Sequence, residues 1–324
     1  MPSSDWAVCW VAPLSDVCPT PRQTIFIGGP GRSGTSFVAD RLGAHPDVCT
    51  LPNVELKLFT EKNGLIDLFH ALVEVYSPNR ATVAVDQFRR FYLALVEGRF
   101  GQPGLEKLAA RQIWLEMLDT FVAVLSRDGH AGPAAPDEFY AAARNLLWGI
   151  ANVAAQLKST EKPSEAYLEK TPHALLSIDF LARVAPGARF VHVMRDPRSI
   201  AFSLRRMRWG PNTLEGCCAW VDHYCQAWLA TQSRAARLGL QPINLRIEAV
   251  AGSPEFWSER ICQALDLHVA RSLFVSADVE TLNSWVSKAE PDELRLLDDR
   301  LQSWAHHFGY RAIRAGELES SMSS

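Results

Sequence analysis

The fold of this chain is decided by the stretch Gln23-Thr-Ile-Phe-Ile-Gly-Gly-Pro-Gly-Arg-Ser-Gly-Thr-Ser-Phe-Val38. Its apolar run from Ile25 to Ile27 predicts a buried strand, and the apolar spacing from Thr35 to Leu42 predicts a helix. Four glycines lie in the seven residues between them, from Gly28 to Gly34. A strand, a glycine-rich turn and a helix place free backbone N–H groups around an anion. The stretch therefore predicts a phosphate or similar oxyanion site rather than an ordinary turn.

The spacing of this loop differs from that of the common nucleoside triphosphate loop, which needs Gly, four residues, and then Gly-Lys-Ser or Gly-Lys-Thr. Gly29 and Gly34 have the required separation, but Thr35 occupies the position of the lysine and the cation is Arg32, inside the loop. No convincing hydrophobic run ends in the aspartate that would hold Mg²⁺. The loop therefore predicts phosphate binding without the metal chemistry of phosphoryl transfer.

Composition places the chain among globular proteins, because 48% of its 324 residues are hydrophobic and 21% are charged. A net charge of −3 gives no indication of a nucleic-acid partner, so anion recognition must be local. The seven cysteines are scattered and lack a CxxC pair, which is typical of thiols in a reducing compartment. With no apolar segment long enough for a membrane span, we expect a cytoplasmic protein.

Four further apolar runs predict strands, with helical spacing between them. They are Val48 to Leu51, Tyr167 to Leu168 before Glu169-Lys170, Arg189 to Met194, and Ile243 to Ile247 before Glu248. This alternation predicts an α/β fold with a P-loop-like parallel sheet flanked by helices, and ligands bind at the carboxyl ends of such strands. The glycine-rich loop, Lys170, Arg195 and Glu248 would all lie at those ends.

We expect one domain over residues 1–324, with two additions to the sheet. Residues 1–22 contain two tryptophans and predict an irregular N-terminal arm packed by those side chains. From about residue 64 to residue 165, apolar residues recur mainly at helical spacing, which predicts a helical insertion that covers the substrate.

A second anion site is indicated by Val191-His-Val-Met-Arg-Asp-Pro-Arg-Ser-Ile-Ala-Phe-Ser203, where a basic residue at a strand end precedes a helix. Arg195 and Ser203 are eight residues apart, so the guanidinium and a hydroxyl on that helix could reach one phosphate. Taken alone, the turn from Arg195 to Arg198 could be a surface salt bridge. Two anion sites on one sheet, however, indicate a nucleotide with phosphates at both ends.

These two stretches resemble the nucleotide-binding motifs of the PAPS-dependent sulfotransferases. Gly29 to Ser36 is similar to their 5′-phosphosulfate loop, and His192 to Ser203 is similar to their 3′-phosphate motif. The Arg-Ser-Gly-Thr sequence is that of the branch shared by tyrosylprotein and many bacterial sulfotransferases. Weaker similarities extend the resemblance over roughly residues 24–312, namely Ala44 to Val48, Glu169 to Pro172, Arg246 to Glu248, Leu282 to Lys288 and Phe308 to Tyr310.

The resemblance implies which residues hold the donor, PAPS. The 5′-phosphosulfate would be bound by the loop residues Arg32, Ser33, Gly34, Thr35 and Ser36. The 3′-phosphate would be bound by Arg195 and Ser203, with Lys288 as a further cation and Trp285 near the purine. No metal is implied, because cations would surround the transferring group.

For catalysis, the resemblance implies that Arg32 and Lys170 stabilise the charge that develops on the bridging and sulfuryl oxygens. Glu55 is the predicted base, because several glycan and tyrosylprotein branches have a glutamate shortly after the His-Pro-Asp turn. His173, beside the Glu-Lys-Thr-Pro segment, is the alternative base.

Other features of the chain limit what the resemblance implies. His45 in a turn and His192 in a strand are better suited to structural roles. Glu55 stands where the tyrosylprotein enzymes have an acidic pair, and the helical insertion differs from theirs, so their peptide-binding contacts cannot be transferred.

The predicted function is the transfer of a sulfuryl group from PAPS to an acceptor hydroxyl, with release of PAP. A glycan, a lipid-linked compound or a small-molecule metabolite is the favoured acceptor, and a peptide tyrosine is the alternative. Two alternatives from other classes are a non-catalytic nucleotide-binding protein and an ATP-dependent phosphotransferase. The sequence leaves the acceptor and the oligomeric state open.

Overall fold

A parallel sheet of five strands forms the centre of the structure, which is a computed structural model. The structure describes residues 21–127, 130–158, 162–270, 272–274, 282 and 284–312. The arm predicted over residues 1–22 lies outside these residues except for its last two. The α/β class predicted from the alternating apolar and helical segments is confirmed.

The strands in the described residues are β1 (Gln23–Gly28), β2 (Val48–Thr50), β3 (Ser126–Arg127), β4 (His130–Ala131), β5 (Ala166–Lys170), β6 (Arg189–Met194) and β7 (Ile243–Arg246). The parallel sheet has the order β2-β5-β1-β6-β7, so β1 is its central strand. Strands β3 and β4 form a short antiparallel pair inside the helical insertion.

The α-helices in the described residues are α1 (Thr35–Gly43), α2 (Leu65–Phe69), α3 (Pro78–Val96), α4 (Arg111–Val124), α5 (Pro136–Lys158), α6 (Ile178–Val184), α7 (Pro197–Leu204), α8 (Leu214–Arg237), α9 (Ile247–Gly252), α10 (Pro254–Ala264) and α11 (Pro291–His307). Helix α2 continues as a π-helix over His70–Glu74. Shorter 3₁₀ turns occupy Leu105–Lys107, Ala174–Ser177 and Val286–Lys288.

The two faces of the sheet belong to different parts of the core. Because successive strand residues point to opposite faces, Phe26 packs with the helices of the insertion, whereas Ile25 and Ile27 pack with Val38 of α1. Both faces of β1 are therefore buried, which explains its continuous apolar sequence. The insertion shares one hydrophobic core with the sheet and lies against its surface.

The structure differs from the sequence prediction at the end of the last strand. Strand β7 ends at Arg246 and not at Ile247, which begins helix α9, since the pairing with β6 ends where Met194 faces Arg246.

The His-Pro-Asp turn lies at the amino ends of the strands, away from the glycine-rich loop. The Asp47 N–H donates to His45 Nδ1 at 3.1 Å, and the Asp47 carboxylate is 2.6 Å from His268 Nδ1. Lys158 Nζ donates to three carbonyls of this turn and its flanks, Gly43, His45 and Val48. These contacts support the structural role expected for His45.

His192 lies inside the sheet, with its ring stacked on Trp228 at a centroid distance of 3.8 Å. Burial lowers the pKa of His192 to about 3, so its ring is neutral at physiological pH. This environment supports the structural role expected for His192. Within the described ranges, no helix combines the length and apolarity that crossing a membrane requires.

Candidate active site

The glycine-rich loop follows β1 at the carboxyl edge of the sheet and is held from two sides. The Gly29 N–H donates to the Pro172 carbonyl at 2.7 Å, just beyond the end of β5. A Cβ atom at Gly29 would lie 2.2 Å from the carbonyl oxygen of Val193 in β6, so only glycine fits there. Arg32 has a φ of 73°, in the left-handed region.

Unpaired polar groups gather where the loop enters α1. Helix α1 begins at Thr35 without a side-chain cap, so the N–H groups of its first turn have no intrahelical acceptor. The hydroxyl of Ser33 is buried and has no hydrogen-bond partner in the described part of the chain. A buried donor without a partner, beside free N–H groups at a helix N-terminus, is the arrangement that an anion satisfies.

The structure brings the two anion motifs together. Arg32 Nε donates to Ser203 Oγ at 3.1 Å, which joins the loop to α7. Arg195 Nη2 donates to the Leu282 carbonyl at 2.5 Å, while Arg195 Nε is buried without a partner among the described residues. Burial lowers the pKa of Arg195 from its usual value; the Glu248 charge opposes this shift and the nearby Arg32 charge adds to it.

The turn from Arg195 to Arg198 is fixed by a buried ion-pair network, and is not the surface salt bridge considered from the sequence. Arg198 is 2% exposed and donates to both carboxylate oxygens of Asp196 and to Asp298 of α11. The Asp196 N–H in turn donates to Glu248 Oε1 at 3.1 Å, and the Tyr310 hydroxyl donates to Glu248 Oε2 at 2.9 Å. The two weak motifs around Glu248 and Tyr310 thus anchor the turn that carries Arg195.

Three residues from separate parts of the sequence meet beside the loop. Lys170 Nζ, at the end of β5, lies 2.7 Å from Glu55 Oε1 and 3.3 Å from Ser36 Oγ in the first turn of α1. The lysine therefore connects the Glu55 carboxylate to the N-terminus of α1. This arrangement places a proton acceptor and a cation at one point of the loop.

A residue that sequence reasoning missed holds the backbone of Glu55. The Glu55 N–H donates to Gln102 Oε1 at 2.8 Å, and Gln102 Nε2 donates to the Glu55 carbonyl at 2.6 Å. Gln102 belongs to the helical insertion, which therefore reaches the site. No sequence signal could have identified it, because 47 residues separate the two partners and neither lies in a recognisable motif.

A buried carboxyl lies next to this group. Burial raises the pKa of Glu169 to about 7, and the charge of Glu55 adds to the shift, while bonding to Thr171 and the charge of Lys170 oppose it. The sequence placed Glu169 only as the residue before Lys170 and gave it no role.

His173, the alternative base, lies beside the rings of Trp220 and Tyr224, at centroid distances of 5.4 and 5.8 Å. Desolvation by these neighbours lowers the pKa of His173, and the charges of Glu55 and Glu61 partly oppose this shift. His173 is therefore largely neutral at physiological pH and is able to accept a proton.

A cavity of about 470 Å³ opens beside Glu55 and Lys170. Ser36, Phe100, Gln102 and Trp209 are among its lining residues. Trp209 is 60% exposed, and a Cβ atom at Gly31 would lie 2.7 Å from its ring. The loop glycine therefore allows an exposed aromatic ring to lie directly on the loop.

The C-terminal segment with Trp285 and Lys288 is placed differently from the loop residues. Trp285 is buried against Phe202 and beneath Arg198, so its ring belongs to the core with α7 and α11. Lys288 Nζ lies 3.0 Å from Ser284 Oγ, a contact within its own turn. The role of Lys288 toward a 3′-phosphate stays a prediction.

Comparison with known proteins places the chain in a family. The model of the sulfotransferase family matches residues 109–271, just over half of the chain and the part that contains Lys170, Arg195 and Ser203. The chain therefore belongs to the sulfotransferase family, and it is an enzyme of that class. No curated protein matches it at the level of sequence.

Three solved structures are similar to this chain. Sulfotransferase STF9 from Mycobacterium avium is 14% identical, with 91% of this chain and 78% of that chain covered and a TM-score of 0.42. The sulfotransferase domain of the Synechococcus PCC 7002 olefin synthase is 16% identical, with 88% and 96% covered and a TM-score of 0.48. Sulfotransferase STF1 from Mycobacterium tuberculosis H37Rv is 14% identical, with 84% and 78% covered and a TM-score of 0.40.

Proposed function

We propose that the protein transfers a sulfuryl group from PAPS to the hydroxyl of an acceptor and releases PAP. The observation that carries the proposal is the position of Lys170 Nζ between Glu55 Oε1 and Ser36 Oγ. The carboxylate could deprotonate an acceptor hydroxyl, the ammonium group could stabilise developing negative charge, and the helix N-terminus could hold the phosphosulfate.

The donor would lie across the carboxyl ends of β1 and β6. Ser33, Gly34, Thr35 and Ser36 would hold its 5′-phosphosulfate through the N–H groups and hydroxyls of the loop and α1. Arg195 and Ser203 would hold the 3′-phosphate, and Lys288 would add charge there. The contact between Arg32 and Ser203 supports this arrangement, because it joins the glycine-rich loop to α7.

In the reaction, the acceptor oxygen attacks sulfur and forms a new S–O bond while the S–O bond to the 5′-phosphate breaks. The acceptor proton passes to Glu55, and PAP leaves with the bonding electron pair. Arg32 and Lys170 stabilise the negative charge that grows on the bridging and sulfuryl oxygens. Because Glu55 loses its charge when it takes the proton, Lys170 is released from its ion pair as that charge develops.

The acceptor would enter the cavity beside Glu55. Its wall combines exposed aromatic surface at Trp209 with polar side chains, which suits a hydroxyl-bearing glycan, a lipid-linked compound or a small metabolite. A peptide tyrosine is the second candidate, favoured by the same aromatic surface. His173 would serve as the base if Glu55 does not.

A cytoplasmic location belongs to the same proposal. Four cysteines of the described residues, Cys217, Cys218, Cys225 and Cys262, are buried and form no disulfide there, as in proteins of reducing compartments. Fractionation of the source cells followed by immunoblotting tests this location.

The experiment uses ³⁵S-labelled PAPS and a dialysed extract of the cells from which the protein comes. We expect a labelled product with the wild type and a loss of at least 100-fold with Arg32→Ala or Glu55→Gln, since each removes a group that acts in the transition state. Glu61→Gln, later in the same loop as Glu55, and Arg90→Ala, on the surface of α3, are matched controls that should keep the wild-type rate.

Thermal unfolding separates this proposal from its rivals. PAP should raise the midpoint of unfolding of the wild type and of Glu55→Gln, and less so that of Arg195→Ala. Stabilisation by ATP with Mg²⁺ but not by PAP would identify a phosphotransferase. Stabilisation by PAP without any labelled product would identify a non-catalytic nucleotide-binding protein.

A further inference from the structure

Two buried side chains lie beneath the segment that carries Glu55. Glu169 is 2% exposed and Thr171 is 7% exposed. The Thr171 hydroxyl donates to Glu169 Oε1 at 2.6 Å and accepts the N–H of Lys57 at 3.1 Å. The other carboxylate oxygen, Glu169 Oε2, is buried and has no hydrogen-bond partner among the described residues. The Lys57 N–H, two residues after Glu55, is therefore held by this pair.

The conformation of this segment requires such support. Lys57 has a φ of 53° and Asn53 a φ of 58°, so residues in the left-handed region lie on both sides of Glu55. A non-glycine residue keeps this conformation only where its surroundings fix it. The Thr171 hydroxyl fixes the backbone at Lys57, and Gln102 fixes it at Glu55 itself.

We propose that Glu169 and Thr171 are positioning residues for Glu55, which they hold so that its carboxylate meets Lys170 Nζ. The inference rests on the proposed function, because it takes Glu55 as the base. Successive residues of β5 point to opposite faces of the sheet. Lys170 therefore points toward the cavity and contacts Glu55, while Glu169 lies buried beneath the loop and supports it.

The pair is also linked to Glu55 by charge. The charge of Lys170 lowers the pKa of Glu169, and the charge of Glu55 raises it. Lys170 thus interacts with both carboxylates, since it also forms the ion pair with Glu55. The Thr171 hydroxyl donates to Glu169 Oε1 and accepts the Lys57 N–H at once. Removal of the Thr171 hydroxyl would leave Glu169 Oε1 and the Lys57 N–H without this partner. The segment that carries Glu55 would then be free to move.

The test is a double-mutant cycle in the ³⁵S-PAPS assay with Thr171→Val, Glu55→Gln and the double variant. We expect Thr171→Val to lower the rate about 10- to 100-fold, because a displacement of about 1 Å at a catalytic group has this effect. Thr171→Val should cause no further loss of rate in the Glu55→Gln background, because Thr171 acts on the reaction only through Glu55. Thr171→Ser, which keeps the hydroxyl, should restore most of the rate.

Thr231→Val provides the matched control. Thr231 is fully buried, and its hydroxyl bonds to the carbonyls of Ala227 and Leu176, away from the Glu55 segment. Its replacement should leave the rate within about twofold, and PAP should stabilise every variant to the same extent. An equal loss from Thr171→Val in both backgrounds, or an equal loss from Thr231→Val, would overturn the inference.

Hydrogen exchange in the wild type tests the inference without any substitution, so the result does not depend on whether a variant folds. The amide of Lys57 lies in a loop but should exchange at least 10-fold more slowly than those of neighbouring loop residues, because it is bonded to the buried Thr171 hydroxyl. Exchange as fast as in the rest of the loop would overturn the inference. If the wild type formed no ³⁵S-labelled product, the proposed function would be contradicted. The hydrogen-exchange result does not depend on activity, so the two failures can be distinguished.

Discussion

Replacement of the buried Glu169 by glutamine should change how the stability of the protein depends on pH. The folded protein raises the pKa of Glu169 from 4.5 to about 7, chiefly by burial. The protonated carboxyl is thus favoured in the fold. The stability that Glu169 contributes is fully present below pH 4.5 and is lost as the pH rises to about 7. Glutamine has a similar shape to the protonated form and does not titrate.

The magnitude follows from the size of the shift. One pKa unit corresponds to 1.36 kcal/mol, so the ionised Glu169 costs the fold about 3 kcal/mol above pH 7. The free energy of unfolding of Glu169→Gln, relative to the wild type, should therefore increase by about 3 kcal/mol between acidic and slightly alkaline pH. Most of this increase should occur between pH 5 and pH 8.

Urea unfolding at several pH values between 5 and 8, followed by tryptophan fluorescence, measures this difference. Glu116→Gln, at an exposed position of α4, is the matched control, and its difference from the wild type should not depend on pH. A difference between Glu169→Gln and the wild type that stays constant over this range would refute the reasoning, because it would mean that Glu169 is solvated or remains ionised throughout.

Three further variants test separate parts of the site. Arg198→Ala should lower the free energy of unfolding by about 3 to 5 kcal/mol in urea unfolding, because it leaves the buried Asp196 carboxylate without its cation. Arg295→Ala, which removes a surface ion pair, should cost less than about 1 kcal/mol in the same measurement. Gly29→Ala should abolish the stabilisation by PAP in a thermal-unfolding assay, because the new methyl group would displace the loop from β6. Trp209→Ala should raise the acceptor KM at least 10-fold without changing PAP affinity, and the exposed Trp148→Ala should change neither. Wild-type acceptor KM in Trp209→Ala would remove this ring from the acceptor site.

Much of the sheet could be predicted from local sequence because its strands are apolar and their ends carry charged residues. The run around Phe26 and the run from Arg189 to Met194 both form strands as expected. Strand β7 shows the limit of such patterns. The β-branched Ile247 favours a strand, but the ladder with β6 ends at Arg246, and the chain turns into α9 to direct Glu248 toward the Asp196 N–H.

The candidate site was predictable only where its residues lie in short motifs. The eight-residue spacing groups Ser203 with Arg195, but no sequence signal indicates the contact of Ser203 with Arg32, from a loop 171 residues away. Gln102 and Trp209 carry no signal of their own, because each acts on a segment that is distant in sequence and near only in the fold. Glu169 looked like the polar end of a strand, and its burial depends on how the Glu55 loop covers it.

The central claim is tested most directly with PAPS that carries ³⁵S in its sulfuryl group and ³²P in its nucleotide. With the wild type and its acceptor, the product should contain ³⁵S without ³²P, and one PAP should be released for each labelled product. Glu55→Gln should lower both rates together by at least 100-fold. Transfer of ³²P to the acceptor, or release of PAP without a ³⁵S-labelled product in the presence of acceptor, would contradict sulfuryl transfer.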